Sequence, residues 1–225
     1  MTTPFIAVAQ TGGAPQVGYP TSRSPFTDLE YRQELTVFGG QFKAGTEPAA
    51  VAPRSGPMVG ARYEITVGGP AQLYVRGSRV FSERRALDPT KPVASRFLGV
   101  SKTPLYLADL GVSVNLTGQR SFHGIVPSLA VGAGVASTLN SKVEKDPYKF
   151  GTTFAFSFGG GLRILPTERI QIRVDGGTHM YQIRYPTEYS TSASDNTTVI
   201  PSGQAKSFWK SNPSITAGLS YLFFR

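Results

Sequence analysis

The segment 213–224 alternates without a fault, with Ile215, Ala217, Leu219, Tyr221 and Phe223 on one side and Thr216, Gly218, Ser220 and Leu222 on the other. A period of two is that of a β-strand with one apolar face and one small or polar face. A half-buried strand of a water-soluble sheet would turn the polar face to solvent. Here the pattern recurs along the chain, and in most copies charged residues share the small face. A sheet closed on itself, apolar side chains turned out to hydrocarbon and charges meeting inside, fits both facts. The expected fold is all-β: an eight-stranded antiparallel up-and-down transmembrane β-barrel over 31–225, after a flexible lead-in over 1–30.

Seven further strands are read from the alternation. The first, 34–42, sets Leu35, Val37 and Gly39 on one face. The second, 58–67, is the cleanest, with Val59, Ala61, Tyr63, Ile65 and Val67 against Gly60, Arg62, Glu64 and Thr66. The third, 72–84, opposes Leu73 and Val75 to Tyr74, Arg76 and Ser78. The fourth, 105–116, opposes Tyr106, Ala108, Leu110, Val112 and Val114 to Leu107, Asp109, Gly111, Ser113 and Asn115. The fifth, 125–136, carries Leu129, Val131, Ala133 and Val135 outward, and the sixth, 152–164, carries Phe154, Phe156, Phe158, Leu162 and Ile164 outward. The seventh, 170–185, turns Gln171, Arg173, Asp175, His179 and Tyr181 away from Ile170, Ile172, Val174 and Met180. Pro127 falls near the start of its strand, where a missing N–H is best tolerated.

The connections alternate in length. Long ones over 43–57, 84–103, 137–150 and 186–211 interleave with turns near 68–70, 117–123 and 165–168. Outer-membrane barrels have this asymmetry, with short periplasmic turns and longer outside loops. Mean hydropathy of −0.13 is compatible with it, because only alternate residues face lipid. No run approaches the ~18 apolar residues of a spanning helix. The 25 glycines and 17 prolines suit a turn-rich β-protein, and the absence of cysteine removes disulfides and thiolate metal sites. A net charge of +9 raises nucleic acid as a partner, but no basic run interleaved with aromatics supports it. No basic start and apolar core mark a secretory signal, although Ala7-Val8-Ala9 has the small-residue form of a cleavage site. The two readings of the N-terminus are a truncated signal and a plain tail.

The terminal run Thr216-Ala217-Gly218-Leu219-Ser220-Tyr221-Leu222-Phe223 resembles the assembly signal of bacterial outer-membrane barrels: polar, any, Gly, two of any kind, aromatic, any, aromatic or apolar. Thr216, Gly218, Tyr221 and Phe223 occupy the constrained positions, and Phe224 and Arg225 extend beyond the usual end. With eight strands, residues 34–225 are similar to the small OmpA/OmpX-like barrels. The resemblance implies export to a bacterial outer membrane and insertion by the barrel-assembly machinery. It implies no activity, since this architecture hosts adhesins, lipid enzymes, small-molecule pathways and anchors.

The inferred interior brings together Glu34, Glu64, Asp109 and Asp175 with Arg62, Arg76, Arg163 and Arg173, four of each sign. Eight strands leave a lumen only wide enough for side chains to fill. Lone charges there are costly, so an ion-pair network closing the lumen is expected. A small-solute channel is the alternative. His123 falls in a turn, and His179 shares its face with Asp175 and Tyr181. Some small barrels hydrolyse or acylate lipid A with His, Ser and an acid. No motif of theirs surrounds His179, so a structural histidine is expected and no catalytic residue, metal ligand or cofactor is assigned. Gly132-Ala133-Gly134 and Gly159-Gly160-Gly161 open no helix and are read as room for facing Arg and Tyr side chains rather than phosphate loops. The outward phenylalanines are read as lipid contacts and interfacial anchors.

In the second long loop Arg84, Arg85, Lys91, Arg96 and Lys102 outnumber Glu83 and Asp88 by three. The first loop (Lys43 and Arg54 against Glu47) and the third (Lys142, Lys145 and Lys149 against Glu144 and Asp146) each add one. An outer-loop basic patch suits phosphates of lipopolysaccharide; ordinary solvated charge is the other reading. The expected role is structural or interactive, as a monomer among outer-membrane lipids, with an unidentified protein partner left open. An outer-leaflet lipid enzyme is the competing class.

Overall fold

The structure is a computed structural model and describes residues 24–139, 143–201 and 203–224. Ala7-Val8-Ala9, Lys142 and Arg225 lie outside them. The strands are β1 (Phe26–Asp28), β2 (Gln33–Phe42), β3 (Gly56–Gly68), β4 (Ala71–Val80), β5 (Glu83–Leu87), β6 (Phe97–Lys102), β7 (Leu105–Asn115), β8 (Arg120–Phe122), β9 (Ile125–Thr138), β10 (Thr152–Ile164), β11 (Ile170–Arg184) and β12 (Ser207–Phe223). Eight of them, in the order β9-β10-β11-β12-β2-β3-β4-β7, form one antiparallel sheet, and the β7–β9 pairing closes it into a barrel. Among the described residues no helix is long and apolar enough to cross a membrane.

The inside-out polarity follows the alternation. Val37, Val75, Leu110, Val131, Phe158, Leu162, Ile215 and Leu219 stand exposed on the outer wall, while Glu34, Thr36, Arg62, Glu64, Asp109, Ser113, Arg163 and Arg173 are buried within. Pro127 costs little, because β7 pairs with β9 only as far as Ser128. Inward glycines clear the lumen as expected: a Cβ at Gly132 would strike the Tyr74 hydroxyl, and one at Gly161 the Asp175 carboxylate.

At the end where the long loops emerge, the inward face turns apolar. Phe42, Met58, Val80, Leu105, Leu107, Ala136, Ala155, Tyr181 and Ile183 point inward there, and loop residues Val51, Ala52, Leu87, Tyr148, Tyr185, Tyr189 and Ile200 complete one apolar cluster over the mouth. The eighth barrel strand therefore begins at Ser207 rather than 213, pairing with Arg184. Its first turn has Lys210 and Asn212 buried and Trp209 exposed, a mixed pattern that the outward-apolar rule passes over. The third barrel strand stops at Val80 rather than 84, and the second long connection is not an open loop. It continues as the hairpin β5–β6, bent from β4 and β7 at Ser82 and Thr103. Phe26–Asp28 falls within the stretch read as a lead-in, yet pairs with β8 through Phe26↔Phe122 to Asp28↔Arg120.

Candidate functional site

The lumen side chains come from alternate positions of the strands, so each inward residue is fixed in height by its register. Glu34 and Glu64 are direct cross-strand partners on β2 and β3, which like charges tolerate only with cations between them. Arg163 supplies one, at 3.3 Å from Glu34 Oε2 and 3.2 Å from Glu64 Oε2. Arg173 bridges the same two carboxylates and also meets Asp175 at 2.6 Å through Nε. Arg62 reaches Glu64 Oε1 at 2.5 Å and lays its guanidinium over the Tyr74 ring at 3.9 Å. Six of the eight charges read from sequence thus form one cluster in the half of the lumen next to the short turns.

The other two, Arg76 and Asp109, form a separate forked pair one storey higher, at 3.0 and 2.9 Å. Neutral partners complete both groups, and no charge pattern flagged them. Ser113 Oγ donates to Glu64 at 2.8 Å, Gln171 Nε2 to Glu34 at 2.8 Å and Thr36 Oγ1 to Glu34 at 2.9 Å, while Gln72 accepts from Arg163 at 2.6 Å. All four occupy inward positions, so the strand period that places Glu34 would have found them. The ring of donors around each carboxylate is what buried charge requires.

His179 lies in the lumen beside the upper pair, with Nε2 3.0 Å from Arg76 Nη2. Ser157, its cross-strand partner, gives its hydroxyl to Asp109 at 2.9 Å instead. No Ser–His–acid relay is assembled, and the ring is buried away from the lipid-facing wall. His123 is an exposed turn residue with φ of 50°. Among the described residues no group of His, Cys, Asp and Glu is arranged to hold a metal ion.

The outer loops build a cap around two buried carboxylates. Asp146 pairs with Arg84 at 2.6 Å, both side chains at 0% exposure. It also accepts from the Tyr189 hydroxyl and the Tyr148 backbone N–H, each at 2.9 Å. Glu47 accepts from the Tyr185 hydroxyl and the Ala52 backbone N–H. Burial, and the Asp146 charge beside it, raise the Tyr189 phenol above its ordinary range; burial with the Glu47 charge does the same for Tyr148. The five-residue basic patch is divided by this packing. Arg84 and Arg96 are interior: Arg96 ties loop two to loop four through Thr198 O at 3.1 Å and Thr197 Oγ1 at 2.7 Å. Arg85, Lys91 and Lys102 remain on the surface, Arg85 stacked over Phe97 at 5.1 Å. Counting charges along a loop could not separate a cation that seals the cap from one that faces water.

No protein-family model matches the sequence, and no curated protein matches it significantly. Solved structures do. The outer membrane protein OprG of Pseudomonas aeruginosa superposes over 87% of this chain and 98% of its own, with a TM-score of 0.52 at 10% identity. Neisserial surface protein A aligns over 85% of this chain and 97% of its own, with a TM-score of 0.50 at 13% identity. The chain has the fold of the small eight-stranded outer-membrane β-barrels. Its apolar outer wall is the one that a barrel standing in a lipid bilayer presents. Thr216, Gly218, Tyr221 and Phe223 all lie on β12, the last strand, between β11 and β2.

Proposed function

We propose that the barrel is a closed, non-conducting outer-membrane protein with a structural or interactive role, acting through its folded outer cap rather than through its lumen. The observation that carries this reading is closure in two layers. Arginines and carboxylates fill the periplasmic half of the lumen, and the aromatic cap packs across the outer mouth. A solute path would need a continuous opening past both layers. Planar-bilayer recording tests it: the refolded barrel is expected to give no stable single-channel steps, and steady, sizeable conductance would overturn the reading in favour of a small-solute channel.

The surface of the cap suits an anionic neighbour. Arg85, Lys91 and Lys102 are exposed on the second loop, and Arg85 lies over the exposed Phe97 ring. Cations beside a phosphate-rich leaflet contribute about 1 kcal/mol each. Lipopolysaccharide is therefore the expected contact, with no cofactor or catalytic step. Replacing Arg85, Lys91 and Lys102 together by Gln should weaken association with lipopolysaccharide in detergent roughly a hundredfold. Equal association would leave these charges as ordinary solvated ones.

A further inference from the structure

The β7–β9 connection and the start of β2 lie on nearly opposite sides of the barrel, since β3, β4 and β7 stand between them one way round and β10, β11 and β12 the other. The segment Phe26 to Gln33 joins these two places. At the far side β1 pairs with β8 in the β7–β9 connection, and Leu29 N–H donates to Gln119 O at 2.9 Å. At the near side Arg32 N–H donates to Phe224 O at 2.9 Å, and its carbonyl accepts from Thr66 N–H at 2.8 Å. Eight strands about 4.8 Å apart and tilted about 40° enclose a ring about 16 Å across. The steps from Asp28 to Gln33 reach about 16 Å when extended. The segment is a strap drawn across the periplasmic mouth with little slack.

Beneath it lies a hollow of about 390 Å³, roofed by Thr27 to Gln33 and floored by Glu34, Glu64, Gln72, Arg163 and Gln171. A second hollow of about 180 Å³ flanks the strap by Thr66, Gly69, Gln72 and Asn115. The two attachments differ in kind. The near one runs directly into β2, which is paired on both edges from Gln33 onward. The far one is a three-residue strand with every residue exposed. Beside its backbone bonds, among them His123 N–H to Pro25 O at 2.8 Å, it is held by a Phe26–Phe122 ring contact at 5.3 Å and an Asp28–Arg120 pair whose side chains are 76% and 62% exposed. Such an exposed ion pair contributes about 0–1 kcal/mol, and short exposed pairings are the first to open.

We propose that residues 26–33 are a hinged lid, anchored at β2 and latched at β8, that controls access from the periplasm to the ion-pair floor of the lumen. Release parts the β1–β8 latch while the barrel pairings stay intact. This device is separate from conduction, because the charged floor remains closed beneath an open lid.

The chain has no cysteine, so a single reporter reads the hollow cleanly. Thr66→Cys places a thiol where both hollows are lined. Its labelling rate with a trimethylammonium methanethiosulfonate is measured on the full-length, refolded barrel in detergent. Adding Phe26→Ala and Arg120→Ala should speed labelling at least tenfold. Adding Thr27→Cys and Ser121→Cys, cross-strand partners oxidised to a disulfide beforehand, should slow it at least tenfold. Equal rates in the three proteins would overturn the lid. So would faster labelling accompanied by loss of the folded barrel's rapid gel migration, since the whole barrel would then be opening.

Discussion

The two halves of the barrel interior are sealed by opposite chemistry. Toward the short turns the lumen holds arginines, carboxylates and amides; toward the long loops it holds Phe42, Leu105, Tyr181 and Ile183. The medium outside the wall accounts for the difference. Where the wall meets hydrocarbon, an apolar interior would make both faces of each strand alike, and a one-residue slip of register would then go unpunished. Charges inside restore the contrast, and cross-strand pairs such as Arg76–Asp109 fix the register. Toward the long loops the inward positions form an ordinary apolar core instead. The general lesson is that the lining of the lumen changes from polar to apolar with height, whereas outward residues such as Val37 and Phe154 stay apolar.

The strongest way to break this comparison is to remove one charge from each half. Glu64 faces Arg62, Arg163 and Arg173, so Glu64→Gln leaves three buried guanidiniums sharing the remaining carboxylates. Removing one partner of a buried pair costs about 3–5 kcal/mol. The urea midpoint of the whole barrel, followed by tryptophan fluorescence in lipid vesicles, should fall accordingly. An unchanged midpoint would mean that the periplasmic network does not hold the barrel together. Asp146→Asn strips Arg84 of its charge partner in the same manner, but the failing unit is the cap. The expected outcome is faster protease nicking in the outer loops, with the gel migration of the folded barrel retained. If Asp146→Asn instead lowered the global midpoint as much as Glu64→Gln, the two halves would be one cooperative unit and the comparison would dissolve.

The sequence was legible where its physics is monotonous. Along the hydrocarbon-facing stretch the alternation places Glu64 and Arg163 inward and Val75 and Leu219 outward, and six of the eight expected lumen charges are buried. Legibility ended at the membrane's outer boundary. Phe208 and Lys210 obey the strand period but not the outward-apolar rule, so the start of β12 went unread. The β5–β6 hairpin was hidden for a related reason: its buried residues, Arg84, Ala86 and Leu87, are held by Asp146 from a distant loop. Neither the burial of Arg84 and Arg96 nor the strap depends on local pattern. Both are settled by which distant backbone the segment meets.

The smallest effect sharpens the comparison most, because it separates two tyrosines stacked in the same cap. Tyr148 and Tyr189 lie with ring centroids 6.3 Å apart, and both are buried. Tyr189 donates its hydroxyl to Asp146, whereas the Tyr148 hydroxyl is buried with no partner among the described residues. A hydrogen bond to a charged acceptor contributes about 1.5–3 kcal/mol, so Tyr189→Phe should loosen the cap by that order. Tyr148→Phe removes only an unsatisfied group and should leave cap stability unchanged or raise it by about 1 kcal/mol. Alkaline pH separates them again. A phenol held above its ordinary value of 10.0 contributes stability that is complete below that value and is lost as pH climbs toward the raised one. Loop protection against protease, measured from pH 9 to 11, should therefore decline in the parent above about 10, and each Phe variant should flatten its own share of the decline. A Tyr148→Phe variant as fragile as Tyr189→Phe would mean that the cap binds that hydroxyl after all, through a partner that forms only in the membrane.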